Sequence, residues 1–225
     1  MAFIHDDQPQ EVYDGFNKFI FSGDRKLFGK LLSKIEFCEK TKDIPGDIVE
    51  LGVFKGSGIL SWLKTLETVN LNHKSVVGFD FFDSKETVDS IQSIDKKTME
   101  SLFADRNFDP SGYDIILTAM LTEARYRNFE LIKGNVMSTV QDYLKKYPGF
   151  RASIVNFDLD VDEPTYVCME LLWDRLVPGG YYILDEYALK QWTESDAVDR
   201  FCKKYNTQVK STKYFAPTGY IQKCA

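Results

Sequence analysis

Two residue types that often carry chemistry are scarce in this sequence. Among its 225 residues there are four cysteines and two histidines, and no two cysteines form a C-x-x-C pair. Zinc sites are built from closely spaced cysteines and histidines, and small secreted scaffolds need many disulfides. The scarcity therefore disfavours a zinc centre and a disulfide scaffold, and it favours a reduced, cytoplasmic setting.

Long apolar runs and clusters of basic residues are also missing. No apolar stretch approaches the roughly 20 residues that cross a membrane, and the first ten residues carry acids where a secretory signal carries bases. The formal net charge is -6, and the basic residues are scattered instead of forming a stripe. We therefore expect a cytoplasmic protein that binds neither nucleic acid nor a membrane.

The apolar residues that are present follow two alternating periods. They make up 44% of the sequence, which is enough to form a core. Residues 1–45 predict two amphipathic helices, and from residue 46 onward five apolar strands alternate with helices before a final hairpin. This order predicts an α/β fold: a Rossmann-like, doubly wound, mostly parallel sheet with a C-terminal antiparallel hairpin. We expect residues 1–225 to form a single domain, with the core at 46–225.

A long insertion separates the second and third predicted strands. It covers about residues 84–127, which is too long for a simple crossover. Its sequence contains helical stretches and a turn at Asp109-Pro110-Ser111-Gly112. A helical lid over a ligand site and an extra pair of packing helices both remain open.

Three glycines directly follow the first predicted strand, in the stretch VELGVFKGSG (49–58). In an open parallel sheet, ligands bind at the carboxyl ends of the strands, beside the point where the winding direction reverses. Gly52, Gly56 and Gly58 lie there, but their spacing differs from the G-x-G-x-x-G of dinucleotide enzymes. The spacing disfavours a pyrophosphate ligand, and the glycines alone are equally consistent with a tight turn.

Polar residues after the next two strands add to this site. Asp80 ends the second strand, where an acid can accept both ribose hydroxyls of an adenosine. Gly134, Asn135 and Val136 follow the third strand, where an adenine ring would lie. Each has a structural alternative, since Asp80 can cap the next turn and Asn135 or Ser138 the next helix. Together they predict a site for an adenosine-sized ligand without phosphates.

These stretches resemble the motifs of class I methyltransferases that use S-adenosylmethionine. VELGVFKGSG resembles their first motif, GFDFF their second, and PGGYYILDEY a late core strand. Over about residues 46–201 the sequence more narrowly resembles the macrocin O-methyltransferase family, whose members methylate sugar hydroxyls of natural products with Mg²⁺. The resemblance implies a methyltransferase acting on a sugar or small natural-product hydroxyl, and it favours a homo-oligomer.

The resemblance also implies residue roles around the cofactor. Glu50 and Gly52 would border its methionine part, and the N-terminus of the following helix would favour its carboxylate. The complete set of predicted and implied cofactor residues is Glu50, Gly52, Val53, Phe54, Gly56, Ser57, Asp80, Phe81, Gly134, Asn135, Val136 and Asp158.

Acids are concentrated after the fourth and fifth strands, in FDLDVDE (157–163) and LDEY (184–187). Because the carboxyl ends of neighbouring parallel strands meet at one rim, these acids should converge, and a hard divalent cation would offset their repulsion. By the resemblance, the Mg²⁺ ligands would be Asp158, Asp185 and Glu186, although the family commonly has two aspartates at the last two positions. The structural alternative is that Asp160 and Asp162 cap the next helix and that Glu186 is solvated.

Methyl transfer to a hydroxyl also needs a proton acceptor. No histidine lies in any of these motifs, so Asp160 or a ligating acid such as Asp158 is the best catalytic candidate. Three other functions remain open: a metal-independent small-molecule N-methyltransferase, a nucleotide-dependent oxidoreductase, and a binding protein that kept the pocket without the chemistry.

Overall fold

The computed structural model describes residues 10–106 and 109–224. The described helices are α1 (Gln10–Phe21), α2 (Arg25–Lys40), α3 (Ser57–Thr68), α4 (Ser84–Ser90), α5 (Asp95–Arg106), α6 (Tyr113–Glu123), α7 (Val136–Lys146), α8 (Asp162–Trp173) and α9 (Glu194–Tyr205). The strands are β1 (Asp47–Leu51), β2 (Val76–Asp80), β3 (Phe129–Lys133), β4 (Ala152–Phe157), β5 (Leu176–Leu184), β6 (Lys210–Ser211) and β7 (Gly219–Gln222). None of these helices is both long enough and apolar enough to cross a membrane.

The strands form a seven-stranded sheet in the order β3-β2-β1-β4-β5-β7-β6. The first five strands of that order are parallel, and β7 runs antiparallel between β5 and β6. The predicted doubly wound sheet with a C-terminal hairpin is therefore confirmed. Winding reverses at β1, which pairs with β2 on one side and β4 on the other, so their carboxyl ends share one rim.

Two apolar layers cover the two faces of the sheet. One contains Val140 of α7, Cys168 of α8 and Phe201 of α9. The other contains Phe37 of α2 and Trp62 of α3, together with side chains of α6. The strands β1, β2, β4 and β5 are largely buried because helices cover both faces of the sheet, whereas no residue of the edge strand β3 is buried. This burial explains the continuous apolar runs in the sequence.

The two predicted N-terminal helices are confirmed, and they differ in how they pack. Helix α2 buries Phe37 and Cys38 against the sheet layer, whereas none of the described residues of α1 is buried. Large apolar side chains of α1 are exposed, including Phe16 at 61% and Phe21 at 86%. Self-association and the single-domain organisation stay predictions.

The described residues of the insertion form three helices that pack in two different ways. Helix α6 buries Leu117 and Leu121 in the apolar layer that also contains Phe37 and Trp62, as an ordinary packing helix does. Helices α4 and α5 lie apart from that layer, and Ile91 and Met99 form a small separate cluster with Val161. The packing alternative therefore describes α6, and a mobile lid stays a prediction that concerns α4 and α5.

Candidate active site

A cavity of about 1020 Å³ lies at the carboxyl ends of the parallel strands. Side chains of α1 and α2 form one wall, and side chains of α4 and α5 form another. Among the predicted cofactor residues, Gly56 and Gly134 do not line the cavity. Those that do are Glu50, Gly52, Val53, Phe54, Ser57, Asp80, Phe81, Asn135, Val136 and Asp158.

The glycines after β1 are required by contacts within the protein. Gly52 has a φ of +90°, and a side chain there would overlap the main-chain carbonyl of Asp158. A side chain at Gly58 would overlap the carboxylate of Glu50. The bare backbone thus lets the loop after β1 lie directly against the end of β4, and this contact brings the predicted cofactor loop next to the acids that follow β4.

Asp80 holds that loop through its carboxylate. Its Oδ2 accepts hydrogen bonds from the backbone N–H groups of Val53 at 2.8 Å and Phe54 at 2.9 Å, and its Oδ1 accepts one from Phe82 at 2.8 Å. An ionised carboxylate has about four acceptor positions, so one remains toward the cavity. The hydrogen bond from Phe82 shows that Asp80 does cap the turn that follows β2. A contact between Asp80 and a ribose stays a prediction.

Asn135 likewise has a structural role at the rim. It is the N-cap of α7, and its side chain accepts a hydrogen bond from the N–H of Met137 at 3.0 Å. It also lines the cavity together with Val136. Its cap geometry fixes the backbone at the place where an adenine ring is predicted to lie.

Glu50 is buried in the floor of the cavity beside a lysine. It is 2% exposed, and its Oε2 has no hydrogen-bond partner among the described residues. The Nζ of Lys34 lies 3.8 Å from that oxygen and 4.2 Å from the centre of the Trp62 ring. Burial raises the pKa of Glu50, which is opposed by the nearby Lys34 ammonium. Glu50 therefore has a buried acceptor oxygen without a hydrogen-bond partner among the described residues, in a residue that lines the cavity.

The acids after β4 and β5 converge as predicted. Asp158, Asp160 and Glu186 each offer a carboxylate oxygen, and the three oxygens lie within 4.8 Å of one another. Asp185 is outside this trio but adjoins it through a shared lysine, because the Nζ of Lys30 lies 2.8 Å from Asp158 Oδ2 and 2.7 Å from Asp185 Oδ2. We call Asp158, Asp160, Asp185 and Glu186 the acidic cluster.

Lysines of α2, which belong to none of the sequence motifs, contact this cluster. Besides Lys30, the Nζ of Lys26 contacts Glu186 and lies 3.8 Å from Asp185. Lys26, Lys30 and Lys34 are four residues apart and so share one face of the helix; we call them the lysine row. This spacing was the signal in the sequence, although nothing local showed that the face points to the strand ends.

The lysines only partly offset the charge of the acidic cluster. Burial raises the pKa of Asp160 to about 8, and the charges of Asp158 and Glu186 add to that shift. Burial would also raise the pKa of Asp158, but the Lys30 ammonium outweighs it and the pKa is lowered. Glu186 Oε2 is buried and has no hydrogen-bond partner among the described residues. An all-oxygen donor set with an unpartnered oxygen fits a hard divalent cation such as Mg²⁺.

Asp160 differs from its neighbours in its backbone and its contacts. Its φ is +68°, in the left-handed region that non-glycine residues seldom adopt. Among the described residues no group donates a hydrogen bond to its carboxylate, and no ion pair involves it. Asp160 thus combines an unusual backbone conformation with a carboxylate that has no direct partner among the described residues, and it lines the cavity.

Two of the structural alternatives are wrong. Asp162 does not cap α8, since the N-cap is Val161, and Asp162 instead accepts hydrogen bonds from Arg200 at 2.8 and 2.6 Å. Asp160 precedes that cap and does not provide it. Glu186 is 3% exposed and is therefore not solvated, because the ends of β5 and α2 enclose it.

Glu194, in the first turn of α9, is a further acid near this site that the sequence motifs do not include. It is fully buried, and both of its carboxylate oxygens lack a hydrogen-bond partner among the described residues. Burial raises its pKa well above the usual range, and the charge of Asp160 contributes to the shift. An acid at the start of a helix is ordinary, so no pattern in the sequence indicates its burial beside the acidic cluster.

Comparisons with known proteins agree with this architecture. The model of the macrocin-O-methyltransferase (TylF) family matches residues 22–213. A solved calicheamicin methyltransferase superposes with a TM-score of 0.75 at 23% identity, covering 97% of this chain and 87% of that one, and this likeness supports the fold.

Two curated relatives come from Streptomyces. One is the 8-demethyl-8-(2,3-dimethoxy-α-L-rhamnosyl)-tetracenomycin-C 4'-O-methyltransferase of Streptomyces olivaceus, 26% identical over 71% of this chain and 61% of the relative. The other is the demethyldecarbamoylnovobiocin O-methyltransferase of Streptomyces niveus, 25% identical over 79% of this chain and 67% of the relative. The match thus spans only about three fifths to two thirds of each relative.

Proposed function

The chain belongs to the macrocin O-methyltransferase family, and from this we propose that it transfers a methyl group from S-adenosylmethionine to a hydroxyl of a sugar or small natural product. One observation carries the proposal: the predicted cofactor residues and the acidic cluster line the same cavity. A methyl donor at the loop after β1 and an acceptor hydroxyl at the cluster would then be neighbours, as in-line transfer requires.

The cofactor side of the cavity matches the parts of S-adenosylmethionine, which supplies the methyl group when bound. Glu50 offers its buried oxygen to the ammonium of the methionine part, and the N-terminus of α3 at Ser57 favours the carboxylate. The remaining acceptor position of Asp80 serves a ribose hydroxyl. The rim at Asn135 and Val136 borders the adenine.

The acceptor side combines polar and apolar surface. The acidic cluster gives hydrogen-bond acceptors for hydroxyls, and apolar side chains also line the cavity, including Leu31 of α2, Met99 of α5 and Trp192 of the loop before α9. This combination suits a sugar carried on an apolar aglycone. The S. olivaceus relative is named for a reaction on a rhamnosyl-tetracenomycin, which is a substrate of that type.

We assign the divalent-cation site to Asp158, Asp160 and Glu186, whose oxygens lie close enough to share one ion. Mg²⁺ bound there would lower the pKa of the acceptor hydroxyl and fix its direction. Asp160 is also our candidate for the proton acceptor, through the carboxylate oxygen that the ion would leave free, because Asp160 lines the cavity. Asp185 then acts as the partner of Lys30.

A metal-independent methyltransferase is the second candidate. The observation in its favour is that Lys26 and Lys30 already give the acidic cluster two positive charges. In that case an ammonium group would orient the acceptor. Turnover in the presence of a chelator separates the two candidates.

The proposed activity is tested in two steps. Isothermal titration calorimetry with S-adenosylmethionine, NAD and NADP should show binding of the first compound alone. Release of S-adenosylhomocysteine should then be measured against glycosides with apolar aglycones, the matching free sugars and primary amines. Turnover of amines in place of glycosides would contradict O-methylation, and binding of NAD in place of S-adenosylmethionine would contradict the whole proposal.

A further inference from the structure

The lysine row places ammonium groups on the same carboxylates that a divalent cation needs. Lys30 Nζ lies 2.8 Å from Asp158 Oδ2 and 2.7 Å from Asp185 Oδ2, both within hydrogen-bond distance. Lys26 contacts Glu186, so two of the three assigned ligands carry a lysine partner. The third, Asp160, has no lysine in direct contact among the described residues.

An ammonium and a divalent cation compete for such oxygens. Mg²⁺ requires carboxylate oxygens at about 2.0–2.1 Å in near-octahedral geometry, so its ligands must be free on the side that faces the ion. An ammonium on the same carboxylate repels the ion and occupies a lone pair. Because both side chains are partly buried, this repulsion is screened less than between fully exposed charges.

We infer that Lys30 is an internal counter-ion of the divalent-cation site: it pairs with Asp158 and Asp185 in the metal-free protein, and its contact with Asp158 opposes metal binding. The inference rests on the divalent-cation part of the proposed function. Lys30 belongs to α2, which also forms a wall of the cavity. Release of Lys30 from Asp158 would therefore couple metal binding to that wall.

The burial of the pair supports this assignment. The side chain of Lys30 is 21% exposed and that of Asp185 is 2% exposed, so the contact lies inside the cavity wall. A buried carboxylate without a counter-ion is costly, which gives Lys30 a structural reason to be there when no metal is bound. A metal ion would remove that reason by supplying its own charge.

The test measures metal affinity directly, without turnover. Mn²⁺ is titrated into the metal-free full-length chain and free Mn²⁺ is followed by electron paramagnetic resonance, with Mg²⁺ as the competitor. Lys30→Met should bind Mn²⁺ at least about tenfold more tightly than the wild type, and Lys30→Arg, which keeps the charge, should stay near it. Lys40→Met is the matched control, because Lys40 lies on the same helix but pairs with Glu36 at 2.7 Å.

A second readout is the thermal midpoint of unfolding. Lys30→Met should lower it in the metal-free protein and should increase the rise that Mn²⁺ produces. If Lys30→Met does not fold, Lys26→Met tests the same effect at Glu186. Unchanged or weaker Mn²⁺ binding in the folded variants would overturn the role of Lys30 while leaving the metal site intact. Absence of Mn²⁺ binding in all variants would overturn both, and S-adenosylmethionine binding would still report on the methyltransferase proposal.

Discussion

Asp80 shows how one side chain can serve both the protein and its ligand. Three backbone N–H groups donate to its carboxylate, so it fixes the loop after β1 as well as facing the cavity. The loop residues Val53 and Phe54 are themselves predicted cofactor contacts. A substitution at Asp80 would thus change the shape of the site and its ribose acceptor together.

Asp80→Ala should weaken S-adenosylmethionine binding by about tenfold or more, because the ribose acceptor is lost and the loop is no longer held. It should also lower the free energy of unfolding by about 1–3 kcal/mol, since buried N–H groups lose their partner. Calorimetry and urea denaturation measure the two effects. The matched control is Asp47→Ala. Asp47 lies at the start of β1, away from the cavity, and accepts a 2.8 Å hydrogen bond from the N–H of Ser75. Equal cofactor affinity in Asp80→Ala and the wild type would contradict the ribose role.

Asp160 provides a second prediction at the residue scale. Asp160→Asn removes the proton acceptor but keeps a residue that tolerates the left-handed backbone at φ +68°. Turnover should fall by about 10²- to 10⁴-fold with little change in the unfolding midpoint. Asp162→Asn is the control two residues away, since Asp162 pairs with Arg200 and does not line the cavity. Comparable turnover losses in both variants would remove Asp160 from its catalytic role.

Among the elements, the parallel strands and their order were the most predictable from the sequence. Strands covered on both faces produce apolar runs, and the alternation of such runs with helical periods restricts the topology. The convergence of acids after β4 and β5 followed from the same topology. The contacts of α2 could not be predicted, because the docking of a helix on the strand ends depends on residues far away in sequence, such as Asp158 and Lys30.

The glycine loop illustrates the same limit. The sequence indicated that the stretch after β1 needs bare backbone, and it suggested a ligand as one reason. The structure adds a reason within the protein, because Gly52 lies against the carbonyl of Asp158 and Gly58 lies against Glu50. Both contacts join segments that only the folded sheet brings together.

The helices of the insertion should differ in their dynamics. Helix α6 buries Leu117 and Leu121 in the apolar layer that also contains Phe37 and Trp62, whereas α4 has no buried residue and α5 buries Asp95 and Met99 outside that layer. Without ligands, amide hydrogens of α4 and α5 should exchange faster than those of α6, and S-adenosylmethionine with an acceptor should slow α4 and α5. Mass-spectrometric hydrogen exchange measures each helix separately. Exchange in α4 and α5 as slow as in β1 and β4, with or without ligands, would contradict a lid.

At the scale of the whole molecule, several acids that differ in burial lie close together at one rim of the sheet. The cluster near β4 and β5 concentrates negative charge in a chain whose formal net charge is -6. Glu194 adds a buried carboxyl behind it. Such an accumulation is costly unless cations offset it, and the lysine row supplies only part of them. The remaining deficit is the general reason to expect a divalent ion.

The last prediction concerns the reaction of the intact protein with and without that ion. In EDTA, methyl transfer to an identified acceptor should fall by orders of magnitude, because without the ion the acceptor hydroxyl is neither oriented nor acidified. Addition of Mg²⁺ should restore the transfer. Asp158→Asn should reproduce the loss even with Mg²⁺ present, since Asp158 belongs to the trio of close oxygens. Asp185→Asn should reduce turnover less, because Asp185 mainly partners Lys30. The affinity for S-adenosylmethionine should barely change in either variant. Full turnover in EDTA would reject the metal-assisted mechanism and favour the metal-independent one, in which Lys26 and Lys30 supply the positive charge.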